Sequence, residues 1–292
     1  MTAKSALLGI FGGTALVHLP FPVIDEFEVE TPSGQPSDAI KQIQLDNGYF
    51  AFILNRHGAG HVYSPSSINY RANVWAMKHC GVTHLLSISA VGSLQEQIVP
   101  GKTLVVPTQL FDFTRGLRPR TFFQGDNDVV AHVSLADPIC PAFHDCLVRL
   151  LARSTNFIAL QDNGTYVIIE GPNYSTRAES IFFKNAIQAD VVGMTAMPEA
   201  RLAREAQLCY AVICLPADYD SWRMHEKGVD ADEVVAGLEP FKPLIAPIIT
   251  GLAKVIVSDQ CSCGQALSGF AIHSDLKAVP ADELEKYQLL LA

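Results

Sequence analysis

The chain has 292 residues, 49% of them hydrophobic, and a formal net charge of −9 at pH 7. This hydrophobic content excludes intrinsic disorder, and the acidic charge argues against a nucleic-acid partner, which needs a basic surface. No apolar run approaches the ~20 residues of a membrane-spanning helix, and the start of the chain lacks a secretory cleavage pattern. We therefore expect a cytoplasmic protein with neither a nucleic acid nor a membrane as a partner.

The seven cysteines are an odd number spread over a large chain, unlike the dense disulfide frameworks of small secreted domains. Most of them are therefore expected to be buried thiols. Cys261 and Cys263 are too closely spaced to form a zinc site alone, and no cluster of His or Cys nearby in the chain completes one. We expect no metal site.

Near the amino terminus, the apolar run of residues 5–13 predicts a buried strand that opens into a tight Gly-Gly-Thr turn. Gly12 and Gly13 allow a backbone to approach a ligand closely, and the Thr14 hydroxyl can donate to an anion. Because turns use glycine widely, this motif alone is weak evidence for an anion site.

A further strand is predicted at residues 49–54, after a hairpin signal at residues 46–48. It ends in Arg56-His57-Gly58. Arginine offers a planar fork of donors that suits phosphate oxygens, and the glycine permits a turn that brings both preceding side chains to one ligand. The alternative interpretation of Arg56 and His57 is an exposed loop pair.

A helix is predicted from a cap at Ser66 or Ser67 to Cys80, and the strand of residues 84–88 follows it. Small residues then occupy positions 89–93. Small residues at the carboxyl end of a strand let backbone N–H groups face an anion, so this segment is a second candidate anion-binding turn.

Residues 102–113 are predicted as one strand, and the basic and aromatic loop of residues 114–123 follows it. For this loop we weigh an exposed surface against a subunit contact or pocket edge. A helix at residues 140–154 and a strand at residues 164–170 come next.

After this strand, Thr176 and Glu179 have the spacing of a capping box, which explains both residues without a function. Tyr174 and Ser175 are not explained by the box. They offer an aromatic face for a purine or ribose and a hydroxyl near the base.

Residues 191–222 read as a β-α-β unit: a strand at residues 191–194, a helix opened by Pro198, and a strand at residues 210–215. Asp218 and Asp220 follow at the carboxyl end of the second strand, where open α/β sheets bind ligands. Two acids two residues apart in extended chain point the same way and could share one ligand. A polar loop exit is the alternative.

Residues 230–257 are predicted to be mainly helical, and the tail of residues 259–292 ends in a helix at residues 280–291. Alternating strands and helices predict a single α/β domain over residues 1–258 with a mixed, barrel-like central sheet. The tail is expected to pack on this domain or on a neighbouring subunit.

The series Gly193-Met194-Thr195-Ala196-Met197-Pro198-Glu199-Ala200, then a helix, then Asp218-Tyr219-Asp220-Ser221-Trp222 resembles the methylthioadenosine phosphorylase branch of the purine nucleoside phosphorylase family. The resemblance covers roughly residues 8–256. It implies phosphorolysis of methylthioadenosine to adenine and 5-methylthioribose-1-phosphate, a homotrimer, and no cofactor, with phosphate and a nucleoside as the small molecules bound.

The resemblance also assigns roles to individual residues. Asp218 would be the general acid, and Asp220, Ser175 and Tyr174 would bind the base. The phosphate set would be Thr14, Arg56, His57, Ser89, Ala90 and Thr195, and the ribose and 5′-methylthio set would be Met194, His61, Val229, Ala231 and Val234.

Two positions depart from the family pattern, Ala15 in the first glycine turn and Asn173 before the base site. Two alternative functions stay open. A purine nucleoside or methylthioinosine phosphorylase would share the Gly-Met-Thr-x-Met-Pro series but is disfavoured by the Asp-Tyr-Asp pair. A non-catalytic nucleoside-binding protein would have no need of the phosphate set.

Overall fold

A mixed β-sheet forms the centre of the molecule. The computed structural model describes residues 7–13, 20–46, 48–124, 128–154, 159–256 and 261–292. Within these ranges the sheet has eleven strands. They are β1 (Leu8–Gly12), β2 (Val23–Phe27), β3 (Ile40–Gln44), β4 (Phe50–Asn55), β5 (His84–Ser93), β6 (Thr103–Val105), β7 (Gln109–Phe113), β8 (Ala159–Gln161), β9 (Thr165–Ile169), β10 (Val191–Gly193) and β11 (Cys209–Asp218).

Strand β5 is the branch point of this sheet. One path runs β2-β3-β4-β1-β5-β10-β9-β7, and β11 leads from β5 to β6 and β8. Strands β1 and β11 are parallel to β5, whereas β10 is antiparallel to it. Helices flank this mixed sheet, which confirms the predicted α/β fold class.

The pairing leaves a gap along one edge of β5. Strand β1 pairs with β5 as far as Ser87, and β10 pairs with it only from Gly92 onward. On that edge residues 88–91 have no strand partner in the described part of the chain. The small residues 89–93 were predicted as a turn, and this is wrong: they lie within β5, because β11 continues the ladder on the opposite edge.

The helices are α1 (Tyr70–His79), α2 (Pro141–Ser154), α3 (Arg177–Asn185), α4 (Ala196–Glu205), α5 (Ala231–Leu238), α6 (Lys242–Val255) and α7 (Ala281–Leu291). Helix α1 begins later than predicted, because Asn69 rather than a serine caps it by accepting from the Ala72 N–H. Ser66 instead donates to Glu170 Oε1 at 2.6 Å. The capping box of α3 at Thr176 and Glu179 is confirmed.

The single strand predicted over residues 102–113 is two strands, β6 and β7. Pro107 lies between them, and a proline has no N–H to continue a ladder. The two strands consequently part, with β6 pairing with β11 and β8 while β7 pairs with β9.

Residues 231–255 are long and apolar enough to cross a membrane by length and composition. The same test is passed by core helices of other proteins. Here the stretch is divided by a 3₁₀ turn at Glu239–Phe241, and α6 packs on α2 with Ile245, Ile249 and Leu252 buried. The absence of a membrane partner stays a prediction.

The carboxyl-terminal segment packs on the same chain in the described ranges. The Tyr287 hydroxyl in α7 donates to Asp128 Oδ2 at 2.6 Å, and the Gln207 amide donates to the Leu290 carbonyl at 3.0 Å. These contacts attach α7 beside the carboxyl end of α4. The predicted division of the chain after residue 258 falls among residues that are not described, and it stays a prediction.

Candidate active site

A cavity of about 490 Å³ opens where β5, β10 and β11 end. That volume suits a nucleoside-sized ligand. The structure brings most of the predicted site residues together in its wall. These are Arg56, His57, His61, Ser89, Ala90, Tyr174, Ser175, Met194, Thr195, Asp218, Asp220 and Val234. Thr14 and Ala15 lie outside the described residues.

The gap along β5 forms one end of the cavity. Successive residues of a strand direct their backbone groups to opposite edges, so residues two apart face the same edge. The Ile88 carbonyl accepts from Arg56 Nη1 at 3.0 Å on the gap edge. The Ala90 N–H therefore faces the same edge, with no strand to pair with. The hydroxyls of Ser89 and Thr195 lie 3.4 Å apart beside it.

Arg56 is held by a buried ion pair that sequence reasoning missed. Its Nε lies 2.6 Å from Glu199 Oε1, and both side chains are at most 1% exposed. Glu199 also accepts from the hydroxyls of Ser87 and Tyr210, at 2.9 and 3.0 Å. Burial lowers the pKa of Arg56, but Glu199 and further neighbours raise it overall, so the guanidinium is charged.

Most of the Arg56 donors are already used. Nη2 donates to the Phe11 carbonyl at 3.1 Å and to the Ser87 hydroxyl at 2.6 Å, and Nη1 uses one hydrogen on Ile88. Together with Nε, four of the five N–H donors of the guanidinium are occupied. The remaining Nη1 hydrogen lies beside Gly13, where an added Cβ would be 2.8 Å from Nη1. Gly13 thus keeps open the space next to the last donor.

The hydrogen bond that His57 makes determines which of its ring nitrogens carries the proton. Its Nδ1 lies 2.8 Å from the Tyr63 carbonyl. A carbonyl only accepts, so Nδ1 carries the ring proton and Nε2 is left with a lone pair. Burial, with a smaller contribution from the Arg56 charge, lowers the pKa of His57 to about 4. Neutral His57 offers an acceptor, not a further positive donor. The ring of His61 stacks on it at 4.1 Å.

A second part of the cavity wall, here called the acid end, contains Asp218, the last residue of β11, and Asp220, two residues beyond that strand. The prediction that they point the same way in extended chain is wrong, because Asp220 has a φ of 42°. This turn brings the Asp220 N–H to 2.7 Å from Asp218 Oδ1. Gly92, which pairs with Asp218 in the sheet, has no side chain and so provides the space that the two acids occupy. A Cβ added at Gly92 would lie 3.0 Å from both acid side chains.

Burial raises the pKa of both acids. Burial is the main cause that raises the pKa of Asp218 to about 7, and the nearby Asp220 charge also raises it. The N–H that Asp220 donates lowers this pKa, but by less. Asp218 is therefore protonated in a large fraction of molecules at neutral pH. Since Oδ1 accepts that N–H, the proton belongs on Oδ2. The pKa of Asp220 is also raised, mainly by burial.

Although the hydroxyls of Ser175 and Ser180 are near enough to Asp220 to lower its pKa, two polar atoms of this end make no hydrogen bond of normal length among the described residues. They are Asp220 Oδ2 and Ser175 Oγ, both buried. Buried polar groups without partners are rare in folded proteins and need an explanation. Because both residues line the cavity, a polar ligand that fills it would supply the missing partners.

The loop of residues 114–123 is exposed at Leu117 but buried at Arg118, so the exposed-surface alternative describes only part of it. Arg118 Nε lies 2.9 Å from Glu170 Oε1, and Nη1 donates to the carbonyls of Met194 and Met197 at 2.5 and 2.8 Å. The loop therefore fixes the backbone on which Met194 and Thr195 are carried. The Met194 side chain packs against Gly171, where an added Cβ would meet its sulfur.

Two residues predicted for the 5′-methylthio pocket are not in the cavity wall. Val229 is half-buried outside it and Ala231 is exposed. Helix α5 packs on β11 through the face that includes Gly237 and Leu238, and Val234 shares that face. Ala231 is the first residue of α5, one turn farther from this contact. Only Val234 of the three reaches the cavity.

Several wall residues were not predicted at all. Val62, Tyr63, Ser64 and Pro65 line the side next to His61. Glu199 and Arg118 act behind the wall, through Arg56 and Met194. The only signal for the last two was an acid in the first turn of a helix and an arginine in a loop, which are common features of exposed surfaces.

The family model of the phosphorylase superfamily matches residues 8–239. The S-methyl-5′-thioadenosine phosphorylase of Geobacter sulfurreducens is 40% identical over 288 residues, which cover 98% of each chain. That of Saccharolobus solfataricus is 42% identical over 269 residues, covering 90% of this chain and 96% of the relative.

Solved structures agree with these matches. A methylthioadenosine phosphorylase from an Antarctic soil metagenomic library superposes with a TM-score of 0.88 at 39% identity, over 99% of this chain and 100% of the other. The methylthioadenosine phosphorylase of Schistosoma mansoni in complex with adenine gives a TM-score of 0.83 at 33% identity, over 95% and 99% of the two chains. The chain therefore belongs to the phosphorylase superfamily, and the family predicted from its motifs is confirmed.

Proposed function

We propose that the chain catalyses the phosphorolysis of S-methyl-5′-thioadenosine to adenine and 5-methylthioribose-1-phosphate. The relatives named above carry this activity in their names, at about 40% identity over nearly the whole chain. The observation that carries the proposal is the division of one cavity between donors at the β5 gap and an acid of raised pKa at the end of β11. The enzyme is accordingly a pentosyltransferase.

At the gap end, phosphate would accept from the hydroxyls of Ser89 and Thr195, the Ala90 N–H and the last Nη1 hydrogen of Arg56. These donors are positioned before substrate enters, which lowers the cost of ordering the reactants. Neutral His57 has a lone pair and would accept the hydrogen of a protonated phosphate. The predicted donor Thr14 adjoins Gly13 in the chain and stays part of the proposed set.

At the acid end, the bond between C1′ and N9 breaks as a phosphate oxygen bonds to C1′. The electron pair of the broken bond moves onto the purine, and Asp218 neutralises it by donating its Oδ2 proton to N7. Asp220 Oδ2 accepts from the 6-amino group, and Ser175 pairs with the base. Tyr174 offers its ring to the purine or ribose. The reaction uses phosphate as co-substrate and needs no cofactor.

The sugar would lie between these two ends, against Met194. His61 and Val234 line the part of the cavity where the 5′ substituent would extend. An apolar Val234 favours a methylthio group over a hydroxyl, though weakly, because an apolar pocket rejects a hydroxyl by only a small factor. The homotrimer implied by the family and the cytoplasmic location expected from the sequence are part of this proposal.

The test is base release from methylthioadenosine with and without inorganic phosphate. We expect adenine to form only when phosphate is present, together with one sugar phosphate per base. Adenine formed at the same rate without phosphate would mean a hydrolase. Tight binding of the nucleoside without turnover in either condition would mean a non-catalytic nucleoside-binding protein. Light scattering on the same sample measures the number of subunits.

A further inference from the structure

Four cysteines from three separate parts of the chain converge on one point, away from the cavity. Cys140 precedes α2, Cys209 begins β11, and Cys261 and Cys263 lie at the start of the carboxyl-terminal segment. Their sulfur atoms all lie within 4.8 Å of one another. The expectation from the sequence concerned only neighbours of Cys261 and Cys263 in the chain, whereas Cys140 and Cys209 are more than 50 residues away from them.

We propose that these four thiolates bind one Zn²⁺ ion in a tetrahedral structural site. Zinc bonds thiolate sulfur at about 2.3 Å, which separates the sulfurs of a regular tetrahedron by roughly 3.8 Å. The four sulfurs are at most 4.8 Å apart, and the sulfurs of Cys209 and Cys261 are 3.3 Å apart. The expected separation lies between these two distances. A four-sulfur tetrahedral set selects zinc or iron among the common metals, and this spacing leaves room for a single ion.

A pair of disulfides would explain the cluster less well. A disulfide joins two sulfurs at about 2.05 Å and places no demand on where a second pair lies. Here all four sulfurs share one centre, and the sulfurs of Cys209 and Cys261, which lie 3.3 Å apart, come from two different parts of the chain. All seven cysteines are free thiols in the structure.

The surroundings suit a negatively charged metal centre. Four thiolates around Zn²⁺ carry a net charge of −2. Arg204 Nη1 lies 3.4 Å from Cys263 Sγ and offsets part of this charge. Cys140, Cys209 and Cys263 are buried, whereas Cys261 is partly exposed and gives the ion a way in.

The site would act on folding and stability and not on the reaction. Cys209 starts β11, and Asp218 ends it, so the ion lies at the opposite end of the strand from the catalytic acid. Zinc would attach the carboxyl-terminal segment to the start of β11 and of α2. This role is independent of the proposed function.

The first test is the metal content of the wild-type protein, purified under reducing conditions without chelators. Elemental analysis should find one zinc per chain. Protein produced in cobalt-supplemented medium should show the visible absorption of tetrahedral cobalt with thiolate ligands. Removal of zinc should lower the Tm, and added Zn²⁺ should restore it.

The second test compares Cys263→Ser with Cys146→Ser. Cys146 lies on α2 close to the cluster but outside it, so its variant is the matched control. We expect Cys263→Ser to release zinc to a chromogenic chelator at a concentration that leaves the wild type and Cys146→Ser loaded.

Three results would overturn the zinc site. Metal-free wild type whose non-reduced mass shows two disulfides would replace it with a covalent pairing of the same cysteines. Metal-free protein with all seven thiols titratable would leave a thiol cluster only. Iron in place of zinc in protein from ordinary medium would assign the site to a different metal. Each result is read on the wild type, so a variant that fails to fold does not decide the question.

Discussion

The two ends of the cavity differ in whether their polar groups have partners before a ligand binds. At the β5 gap, Arg56 is paired with Glu199 and four of its five donors are occupied before any ligand binds. At the acid end, Asp220 Oδ2 and Ser175 Oγ are buried without partners in the described residues. The Arg56 charge at the gap end is therefore compensated by the protein itself, whereas hydrogen bonds at the acid end are completed by the ligand.

This difference separates two kinds of failure. Damage at the gap end leaves a buried charge uncompensated, so it should affect folding as well as phosphate binding. Replacing an acid by its amide at the acid end leaves no charge unpaired and keeps an oxygen that can accept the Asp220 N–H, so it should affect turnover or choice of base much more than stability. The following variants test that separation.

The largest expected effect is that of Asp218→Asn on turnover. Asparagine cannot donate an acidic proton to N7, and general acid catalysis is typically worth ~10²–10⁴-fold in rate. Steady-state kcat with methylthioadenosine should fall by two or more orders of magnitude. Asp190→Asn is the control, because Asp190 is a half-buried acid that accepts from the Thr165 N–H outside the cavity. A kcat of Asp218→Asn close to that of the wild type would show that Asp218 is not the general acid.

Glu199→Gln should have the next largest effect, and it should act on stability. It leaves the Arg56 charge buried and uncompensated, which costs about 3–5 kcal/mol. Denaturant unfolding measures the loss, and the KM for phosphate should rise because Arg56 is no longer held.

Glu205→Gln is the matched control for this variant. It also changes a buried carboxylate of α4, but burial raises the pKa of Glu205 to about 7, and its main contact is the Phe122 N–H at 2.7 Å, which glutamine can keep. Equal losses of stability in the two variants would show that the ion pair has no special role.

A smaller effect is expected for Asp220→Asn on the choice of base. An ionised Asp220 accepts from a 6-amino group but repels a 6-oxo oxygen, and such a mismatch costs on the order of 1–3 kcal/mol. In the wild type, kcat/KM should favour methylthioadenosine over methylthioinosine, and adenosine over inosine, by roughly tenfold or more.

Asparagine can present either a donor or an acceptor, so the variant should narrow this ratio and leave the preference for methylthio over hydroxyl unchanged. Methylthioinosine or inosine as the better substrate of the wild type would instead favour the purine nucleoside interpretation and remove the roles of Asp218 and Asp220 together.

The smallest expected effect is the pH dependence. The pKa of Asp218 is about 7 in the folded protein against an ordinary value of 3.8. The acid form therefore predominates below about 7, and kcat/KM should fall as the pH rises through that value. Phosphate also titrates in this range, so the pH profile of the residual activity of Asp218→Asn serves as the reference. The fall in kcat/KM that is due to Asp218 should be absent from that profile.

The same shift has a stability component of defined sign. Between 3.8 and about 7 the folded protein holds a proton that the unfolded chain has released. The contribution of Asp218 to the free energy of unfolding therefore decreases as the pH rises across this window. Asp218→Asn should remove this slope, measured as the difference in unfolding free energy between the variant and the wild type at each pH.

The sequence was most informative where neighbours in the chain are also neighbours in space. Asp218 and Asp220 were found because they directly follow an apolar strand, and Ser89 and Ala90 because they are small residues near a strand end. Even there the local geometry differed: residues 89–93 belong to β5, and Asp220 turns with a positive φ.

Pairs made across the fold could not be found in this way. Arg56 and Glu199 are 143 positions apart in the chain, and no periodic signal joins them. The same holds for Arg118 and its carbonyl partners, and for the four cysteines. Val229 and Ala231 were predicted to line the 5′-methylthio pocket but lie outside the cavity wall for a different reason. One turn more or less of α5 decides which side chain reaches the cavity, and the sequence composition does not specify that turn.

The pairing of Arg56 with Glu199 also determines how phosphate arrives. An unpaired guanidinium would attract anions from a distance, but here it is paired with a carboxylate at 2.6 Å, so its attraction decreases steeply with distance, and the whole chain is negatively charged at −9. Phosphate therefore approaches against a weak repulsion and is captured only by contacts of hydrogen-bond length. Raising the ionic strength screens the repulsion without weakening those contacts, so the association rate of phosphate should rise slightly with added salt, the reverse of an electrostatically steered enzyme.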